Sequence, residues 1–149
     1  GQELRFHVIE NSLLRAVDEE TERKMSEEVD RMKLQGDSPD GEVQIIASGV
    51  PIGLGSYASS DRRLDTKLGM EIFSIPSVKG LCIGRNLFSE NRPGSKYHDI
   101  PIYGEKRFFH RSNNAGGIEG GVSNGEEIVL QVAVKPIPTL LKCLPSVDL

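Results

Sequence analysis

The feature that most constrains this chain is a glycine cluster, RSNNAGGIEGGVSNGEE, at residues 111–127. It holds five of the sixteen glycines within seventeen residues, and the alternating run EEIVLQVAVKP overlaps its end. Glycine in regular structure costs roughly 0.5–1 kcal/mol relative to alanine, because its backbone loses more freedom on folding. A cluster therefore indicates backbone at positive φ or close approach by another group, either a neighbouring strand or a ligand.

The run after the cluster predicts the clearest strand of the chain. Apolar residues occupy every second position in it: Ile128, Leu130, Val132 and Val134. This is the period of a strand with one buried face, so we place a strand at Glu127 to Val134. The following KPIPT ends it, because Pro136 and Pro138 cannot donate hydrogen bonds to a neighbouring strand.

The cluster lacks the two commonest phosphate-binding glycine signatures, GxxxxGK[ST] and GxGxxG. Its AGGIEGG portion places glycine pairs on both sides of Ile118 and Glu119. Backbone N–H groups there could point at an anion, or a flat ring could lie against bare backbone, but tight turns between strands need the same glycines. The residues alone leave both interpretations open. Lys135 and Thr139 in KPIPT likewise suit either a bound phosphate or an ordinary surface turn.

The composition is that of a soluble protein with a single core, with 149 residues of which 37% are hydrophobic and 27% charged. The formal net charge of −4 gives no support to nucleic-acid binding. No apolar run reaches the length of a membrane-spanning helix, and because the first residues show no charged-then-apolar pattern we expect no attached secretory signal. Cys82 and Cys143 lack CxxC spacing and clustered histidines, so we expect no metal site, no disulfide framework and a reducing compartment.

Hydrophobic periodicity predicts further elements: strands at Leu4–Glu10, Gly41–Val50 and Val78–Gly84, a charged helix within DEETERKMSEEVDRMKLQG, and a helix from Asp61 to Phe73. The charged helix has one apolar face formed by Met25, Val29 and Met32, an otherwise solvated surface, and a stop at Gly36. The strand at Gly41–Val50, the helix from Asp61 to Phe73 and the strand at Val78–Gly84 form a β-loop-helix-β unit. Its crossover should be right-handed if the two strands are parallel neighbours. This alternation predicts an α+β or α/β sandwich.

We predict a flexible active-site loop at residues 86–110. The segment is aperiodic, and segments of that length in compact domains are usually functional or mobile. Four aromatic residues favour a partly ordered loop that covers a ligand, rather than a disordered linker: Tyr97, Tyr103, Phe108 and Phe109. His98 and His110 also lie here, and we assign them no catalytic role, because no motif supplies a Ser, Cys or carboxylate partner.

Four segments occur in the order of the signature blocks of one enzyme family. They are SGVPIGLGSY at 48–57, FSIPSVKG at 73–80, RSNNAGGIEGGVSNGEEI at 111–128 and VAVKPIPT at 132–139. Smaller agreements are GDSPDGEV before the strand at Gly41, GSKYHD in the loop, and the closing SVDL. Over nearly its whole length the chain resembles chorismate synthase.

This resemblance implies the α+β fold of chorismate synthases, a β-α-β sandwich in which sheets pack with helices. It also implies a carbon–oxygen lyase of the shikimate pathway of aromatic amino acid biosynthesis. In that reaction 5-enolpyruvylshikimate 3-phosphate loses phosphate by 1,4-anti elimination to give chorismate. Reduced FMN is required without net redox change, and whether NADPH reduces the flavin on the protein itself stays open. The family is typically a homotetramer, and we expect a cytoplasmic protein, or a plastid one in a plant.

The family's flavin contacts map onto eight residues of this chain: Pro76, Ser77, Gly120, Lys135, Pro136, Ile137, Pro138 and Thr139. A residue without a side chain at Gly120 lets a ring approach the backbone, and Lys135 and Thr139 suit a phosphate or ribityl hydroxyls. The three residues before the first glycine pair, 113–115, are expected to brace the loop.

Other parts of the family pattern match no residue here. They are the catalytic histidines, the arginines that grip substrate phosphate, an RSSAR-like flavin segment, an RHDP-like segment and a carboxyl-terminal aspartate. We therefore expect the central portion of a chorismate synthase, inactive by itself, with its catalytic residues unassigned. The alternative is a non-catalytic module for flavin binding or oligomer assembly.

Overall fold

A computed structural model of the chain describes residues 5–6, 19–85, 93–104 and 106–147. Contacts divide the chain into two compact units, one of Gly1–His7 with Glu42–Val134 and one of Val8–Gly41 with Lys135–Leu149. Helices and antiparallel strands occur together, which confirms the predicted α+β class. That the chain forms a single domain stays a prediction. Within the described ranges no helix is long and apolar enough to cross a membrane.

The first unit contains a four-stranded sheet and two short hairpins. In chain order the strands are β1 (Arg5–Phe6), β2 (Gly41–Ser48), β3 (Val78–Ile83), β4 (Pro101–Gly104), β5 (Arg107–His110), β6 (Ile118–Glu119), β7 (Val122–Ser123) and β8 (Ile128–Val134). The sheet has the order β1-β2-β8-β3, while β4 pairs with β5 and β6 with β7. β1 confirms two residues of the strand predicted at Leu4–Glu10, and the rest of that prediction lies outside the described residues.

β8 supplies one face of the buried core, as its alternation predicted. Ile128 and Leu130 pack with Val50 and Ile118, and Val132 is also buried. Fully burying one such side chain stabilises a fold by roughly 1.5–3 kcal/mol. The helix α2 (Leu64–Ser74) covers this cluster with three partly buried residues at helical spacing: Leu64, Leu68 and Ile72.

The helix predicted at Asp61 to Phe73 begins three residues later than expected. A 3-10 turn occupies Ser60–Arg62, and Arg63 is extended with ψ 139° before α2 starts. The backbone N–H of Leu64 donates to the Gly121 carbonyl at 2.8 Å, so a tertiary hydrogen bond fixes the helix start. The helix ends at Ser74, as Pro76 requires.

The predicted β-loop-helix-β unit does not join neighbouring strands. β8 lies between β2 and β3, and β3 pairs antiparallel with β8. The condition for a right-handed crossover between adjacent parallel strands is therefore not met. This order gives β8 hydrogen-bonded neighbours on both edges, which suits the strand that contributes most to the core.

Part of the predicted loop at 86–110 has regular structure. A one-turn helix, α3 (Gly94–Tyr97), precedes the β4–β5 hairpin, where the rings of Tyr103 and Phe108 lie 5.0 Å apart between centroids. Residues 86–92 and 105 lie outside the described residues. Flexibility of this segment and coverage of a ligand stay predictions.

Asp99 fixes the end of α3 to the residues before the glycine pair. Its carboxylate accepts hydrogen bonds from Ser112 Oγ at 2.6 Å and from the backbone N–H groups of Asn114 and Ala115, both at 2.8 Å. Burial of this carboxyl opposes its ionisation. The hydrogen bonds and the charge of His110 outweigh that effect, so the pKa of Asp99 lies below its usual value.

Two asparagines brace the same loop, as predicted for residues 113–115. The Asn113 side chain donates to the Glu127 carbonyl at 2.8 Å and accepts from the Gly117 backbone N–H at 2.8 Å. The Asn114 side chain donates to the Tyr97 carbonyl at 2.8 Å. The loop is thus bonded to α3 on one side and to the start of β8 on the other.

The second unit contains the predicted charged helix, α1 (Glu19–Leu34). Exposed ion pairs run along it, such as Arg23 with Glu27 at 2.7 Å, and because water screens such pairs they contribute little to stability. Gly36 ends it with φ 68°, and its carbonyl accepts from the N–H groups of Leu141 and Lys142.

Replacing Gly84 by alanine should destabilise the fold by about 2 kcal/mol or more. Gly84 has φ 71°, and a Cβ there would lie 2.5 Å from the Gly116 backbone nitrogen. The measurement is the free energy of unfolding from urea denaturation. Gly41→Ala is the matched control, because a Cβ at Gly41 meets no atom within 4 Å and its φ is not positive. Equal stability of the two variants would contradict the prediction.

Asp99→Asn should reduce the free energy of unfolding at pH 7, and the difference from the unchanged chain should shrink as the pH falls. Because folding depresses the pKa of Asp99, its ionised form stabilises the fold above the unfolded value near 4 and loses that effect as it protonates. Urea unfolding between pH 7 and pH 3 measures this. Asp40→Asn, at an exposed position, serves as the control. If the difference in free energy of unfolding between Asp99→Asn and the unchanged chain does not depend on pH, the ionised Asp99 carboxylate is not its cause.

Candidate functional site

Most glycines of the cluster are packing positions. Gly116, Gly117 and Gly121 are buried and have φ of 63°, 77° and 85°. A Cβ on Gly117 would lie 2.5 Å from the Glu127 carbonyl oxygen, and one on Gly121 would lie 2.8 Å from the Arg63 side chain. At these three positions the glycines allow tight turns and close backbone contact.

Gly120 is different. It is exposed with φ 59°, and a Cβ there would meet no atom within 4 Å. Its positive φ favours glycine, and the open space is what a ring lying against bare backbone needs. The two interpretations that the sequence left open meet at Gly120. It is the first residue of the two-residue turn between β6 and β7, which requires its positive φ, and it is also the position in the cluster with open space for a ligand.

Gly120 lies at the edge of an open cleft of about 390 Å³ within the first unit. The cleft is lined by Asp65, Ile83, Tyr97, His98, Ala115, Ile118, Glu119 and Gly120. Ile83 and Ile118 are apolar, and the rings of Tyr97 and His98 stand edge to face with centroids 5.7 Å apart. Four of the eight lining residues are polar: Asp65, Tyr97, His98 and Glu119. A volume above about 300 Å³ is in the range of small-molecule sites.

The two carboxylates of the cleft are both partnered. Asp65 pairs with Arg63, whose Nε donates to it at 2.9 Å, and the Arg63 hydrogen bond holds the pKa of Asp65 below its usual value. Glu119 accepts from the Asn124 side chain at 2.9 Å and lies 3.7 Å from His110 Nε2. A ligand entering the cleft therefore meets one acid paired with an arginine and one held by hydrogen bonding.

Tyr97 is held with its phenol neutral. Its hydroxyl donates to the Asn114 carbonyl at 3.3 Å. Burial, followed by the negative charges of Cys82 and Asp99, raises the pKa of the phenol above its usual value. The ring is thus fixed in place as an uncharged aromatic surface.

Pro76 and Ser77 occupy a strained turn between α2 and β3. The Val78 N–H donates to the Ile75 carbonyl at 3.3 Å, and Ser77 has φ 72°, the arrangement of a type II turn. Serine in left-handed backbone costs roughly 1–2 kcal/mol, and glycine ordinarily holds this position. A ladder irregularity between Val78 and Gly80 follows. Strain and bulges of this kind concentrate at functional sites.

The structure does not bring these two residues into the Gly120 cleft. Gly120 lines the cleft together with Ile83, the last residue of β3, whereas Ser77 precedes its first residue. Five residue steps of a strand separate the two ends by about 17 Å. A ligand that contacts both places must therefore be elongated.

Five predicted flavin contacts, from Lys135 to Thr139, belong to the second unit and are exposed. Within that unit the Ser38 hydroxyl donates to the Ile137 carbonyl at 2.7 Å. Their role as flavin contacts stays a prediction.

The sequence did not identify the other cleft residues as a group. Asp65, Tyr97, His98 and Glu119 come from three separate segments, and a signal existed only for the pair within GSKYHD, which is part of the family pattern. Their meeting depends on hydrogen bonds between residues 13 or more positions apart, such as Ser112 to Asp99. No local periodicity encodes such contacts.

Comparison with known proteins agrees with the resemblance. The chorismate synthase family model matches residues 2–149. The chorismate synthase of Caldicellulosiruptor bescii is 47% identical over 148 residues, covering 99% of this chain and 39% of that protein. The chorismate synthase of Geobacter metallireducens is 45% identical over 146 residues, covering 93% of this chain and 37% of that protein.

A solved structure described as a chorismate synthase has a TM-score of 0.76 and 40% sequence identity, over 80% of this chain and 36% of its own. The chain thus spans little more than a third of the length of the relatives it matches. With a family match along almost all of its residues and the family's α+β fold, this chain belongs to the chorismate synthase family.

Proposed function

We propose that this chain carries part of the FMN site of a chorismate synthase, which converts 5-enolpyruvylshikimate 3-phosphate to chorismate and phosphate with reduced FMN. The observation that carries the proposal is Gly120, an exposed glycine of left-handed backbone with open space over it. The proposed flavin contacts are Pro76, Ser77, Gly120, Lys135, Pro136, Ile137, Pro138 and Thr139. From the family resemblance we also propose that the protein is a homotetramer and cytoplasmic.

The cleft suits a flat ring of mixed polarity. Ile83 and Ile118 offer apolar surface, and the bare Gly120 backbone lets a ring lie close. Asp65 is paired with Arg63, and Glu119 accepts from Asn124 and lies 3.7 Å from His110 Nε2, so both acids of the cleft have partners within the protein. The residues present therefore fit a reduced flavin.

Reduced FMN, when bound, would supply electron density to the substrate as phosphate leaves. The chain's own residues would hold the ring, keep water from its covered face and fix its orientation. Gly120 is suited to the closest contact. Ser77, in a backbone conformation that costs free energy, lies at the other end of β3.

The cleft does not serve the substrate's phosphate. Among its described lining residues there is no lysine or arginine. The groups that stabilise a departing phosphate must carry positive charge or several donors, so they belong elsewhere in the enzyme. We therefore expect flavin binding to be the measurable activity of this chain, with no chorismate formed by it alone.

Gly120→Asn should abolish binding of reduced FMN or weaken it by at least about tenfold, because an asparagine side chain fills the space above the backbone. Asparagine tolerates left-handed backbone, so the fold should remain, whereas the β-branched Gly120→Val adds strain at φ 59°. The measurement is anaerobic titration of the 149-residue chain with reduced FMN, followed by flavin absorbance.

Gly53→Asn is the matched control for that experiment. Gly53 also has positive φ, at 92°, and open space around its Cβ position, but it does not line the cleft. We expect its flavin affinity to equal that of the unchanged chain. Full affinity in Gly120→Asn would mean that the second glycine pair serves turn geometry alone.

Ser77→Gly should keep the free energy of unfolding or raise it by up to about 1 kcal/mol, because relief of the left-handed strain offsets glycine's added freedom. Its affinity for FMN should fall if the serine side chain contacts the ligand. We expect a larger loss for FMN than for riboflavin, since Ser77 lies before the start of β3 and the cleft is lined by the residue at its end.

Lys106→Gly controls for the backbone change, because Lys106 has φ 62° and is the other described non-glycine residue with positive φ. It should leave flavin affinity unchanged. If Ser77→Gly binds FMN as tightly as Lys106→Gly does, Ser77 has no part in the site.

A further inference from the structure

We propose that Tyr97 and His98 form a second wall of the Gly120 cleft and contact the planar ring bound there, with Asp99 as the positioning residue that holds them in place. This inference rests on the proposed function, because it assumes a flavin ring at Gly120. It assigns ligand contacts to two residues that are not among the eight proposed flavin contacts.

Asp99 and Asn114 determine where this wall lies. Asp99 accepts four hydrogen bonds from residues 112–115, three of them from Asn114 and Ala115. Asn114 in turn bonds both ends of Tyr97, through the Tyr97 carbonyl at 2.8 Å and the Tyr97 hydroxyl at 3.3 Å. The loop that leads to Gly116 and Gly120 therefore also holds Tyr97 in place, and Tyr97 and Gly120 line the same cleft.

The chemistry of the wall matches a planar ligand. Aromatic side chains offer large, rigid contact area to flat rings, and little conformational entropy is lost when the side chain is already fixed. Tyr97 is half-buried with its hydroxyl engaged, so its ring is the part that remains for contact. His98 is exposed at the cleft and braced edge to face by Tyr97.

A purely structural role for Tyr97 makes a different prediction. If the ring only packs α3 onto the loop, its removal lowers stability and leaves ligand affinity unchanged in the folded fraction. If the ring contacts the ligand, affinity depends on the ring and not on the hydroxyl. Tyr97→Ala, measured in its folded fraction, separates these two roles. Tyr97→Phe separates the ring from the hydroxyl, because it keeps the ring and removes the hydrogen bond to Asn114.

The test is anaerobic titration of the 149-residue chain and its variants with reduced FMN and with reduced riboflavin. Tyr97→Ala should weaken binding of both ligands by about tenfold, and by the same factor, because the contact is to the shared ring. Tyr97→Phe should bind within about twofold of the unchanged chain, and His98→Ala should lose about threefold. Circular dichroism and urea unfolding report whether each variant is folded.

The controls are Tyr57→Ala, at an 86% exposed tyrosine outside the cleft, and Lys96→Ala, on α3 but not lining the cleft. Both should keep full affinity. If Tyr97→Ala does not fold, Tyr97→Leu retains apolar packing without a ring and should show the same tenfold loss. Asp99→Asn should weaken both flavins in parallel, since it acts through the position of the wall.

The outcomes separate this inference from the proposed function. Flavin binding that is lost in Gly120→Asn but unchanged in the folded Tyr97 and His98 variants would overturn the second wall and leave the flavin site standing. Equal losses in Tyr97→Phe and Tyr97→Ala would show that the hydroxyl, not the ring, matters, and would also overturn it. Failure of the unchanged chain to bind reduced flavin would overturn both.

Discussion

The close approach of Gly84 to Gly116 is the contact on which the rest of the first unit depends. Three backbone hydrogen bonds surround it: Gly84 N–H to the Val129 carbonyl at 2.8 Å, Arg85 N–H to the Asn114 carbonyl at 2.9 Å, and Val129 N–H to the Gly116 carbonyl at 3.3 Å. Side chains at either glycine would separate these segments. The end of β3, the start of β8 and the glycine cluster are thereby joined through bare backbone. Ile83 directly precedes Gly84, and Ile118 lies two residues after Gly116. The contact between the two glycines therefore brings both isoleucines to the same cleft.

Residues 112–115, which precede the first glycine pair, connect this contact to the neighbouring elements. Its asparagines bond to β8 on one side and to α3 on the other, and Asp99 adds a carboxylate whose ionised form is held by donors from the loop. Charge-assisted hydrogen bonds of this kind are stronger than neutral ones, which helps a one-turn helix keep a fixed position. The cleft is therefore shaped by polar contacts to backbone, while the apolar core lies beneath it.

Elements with strong local signals could be predicted from the sequence, whereas contacts between distant segments could not. The alternation in β8 and the 3-4 spacing in α2 gave both elements within about three residues, because burial of one face imposes those periods. The order of the sheet was not predictable, since no local pattern states that β8 inserts between β2 and β3. The glycine cluster was recognised as a whole, but only three-dimensional neighbours distinguish the crowded Gly117 from the open Gly120.

The separation of the proposed flavin contacts indicates the shape of the ligand. Ser77 precedes the first residue of β3, Gly120 lines the cleft together with its last residue, and β3 itself spans about 17 Å, so a ligand that contacts both must be elongated. FMN is elongated, with a ring system at one end and a phosphate at the other, and this shape is what the spacing demands of any single ligand. The left-handed backbone at Ser77 costs free energy that a glycine would avoid, whereas that of Gly120 belongs to the two-residue turn of the β6–β7 hairpin and leaves open space over it. One long ligand would use both features, the serine before the start of β3 and the open glycine on the cleft at its end.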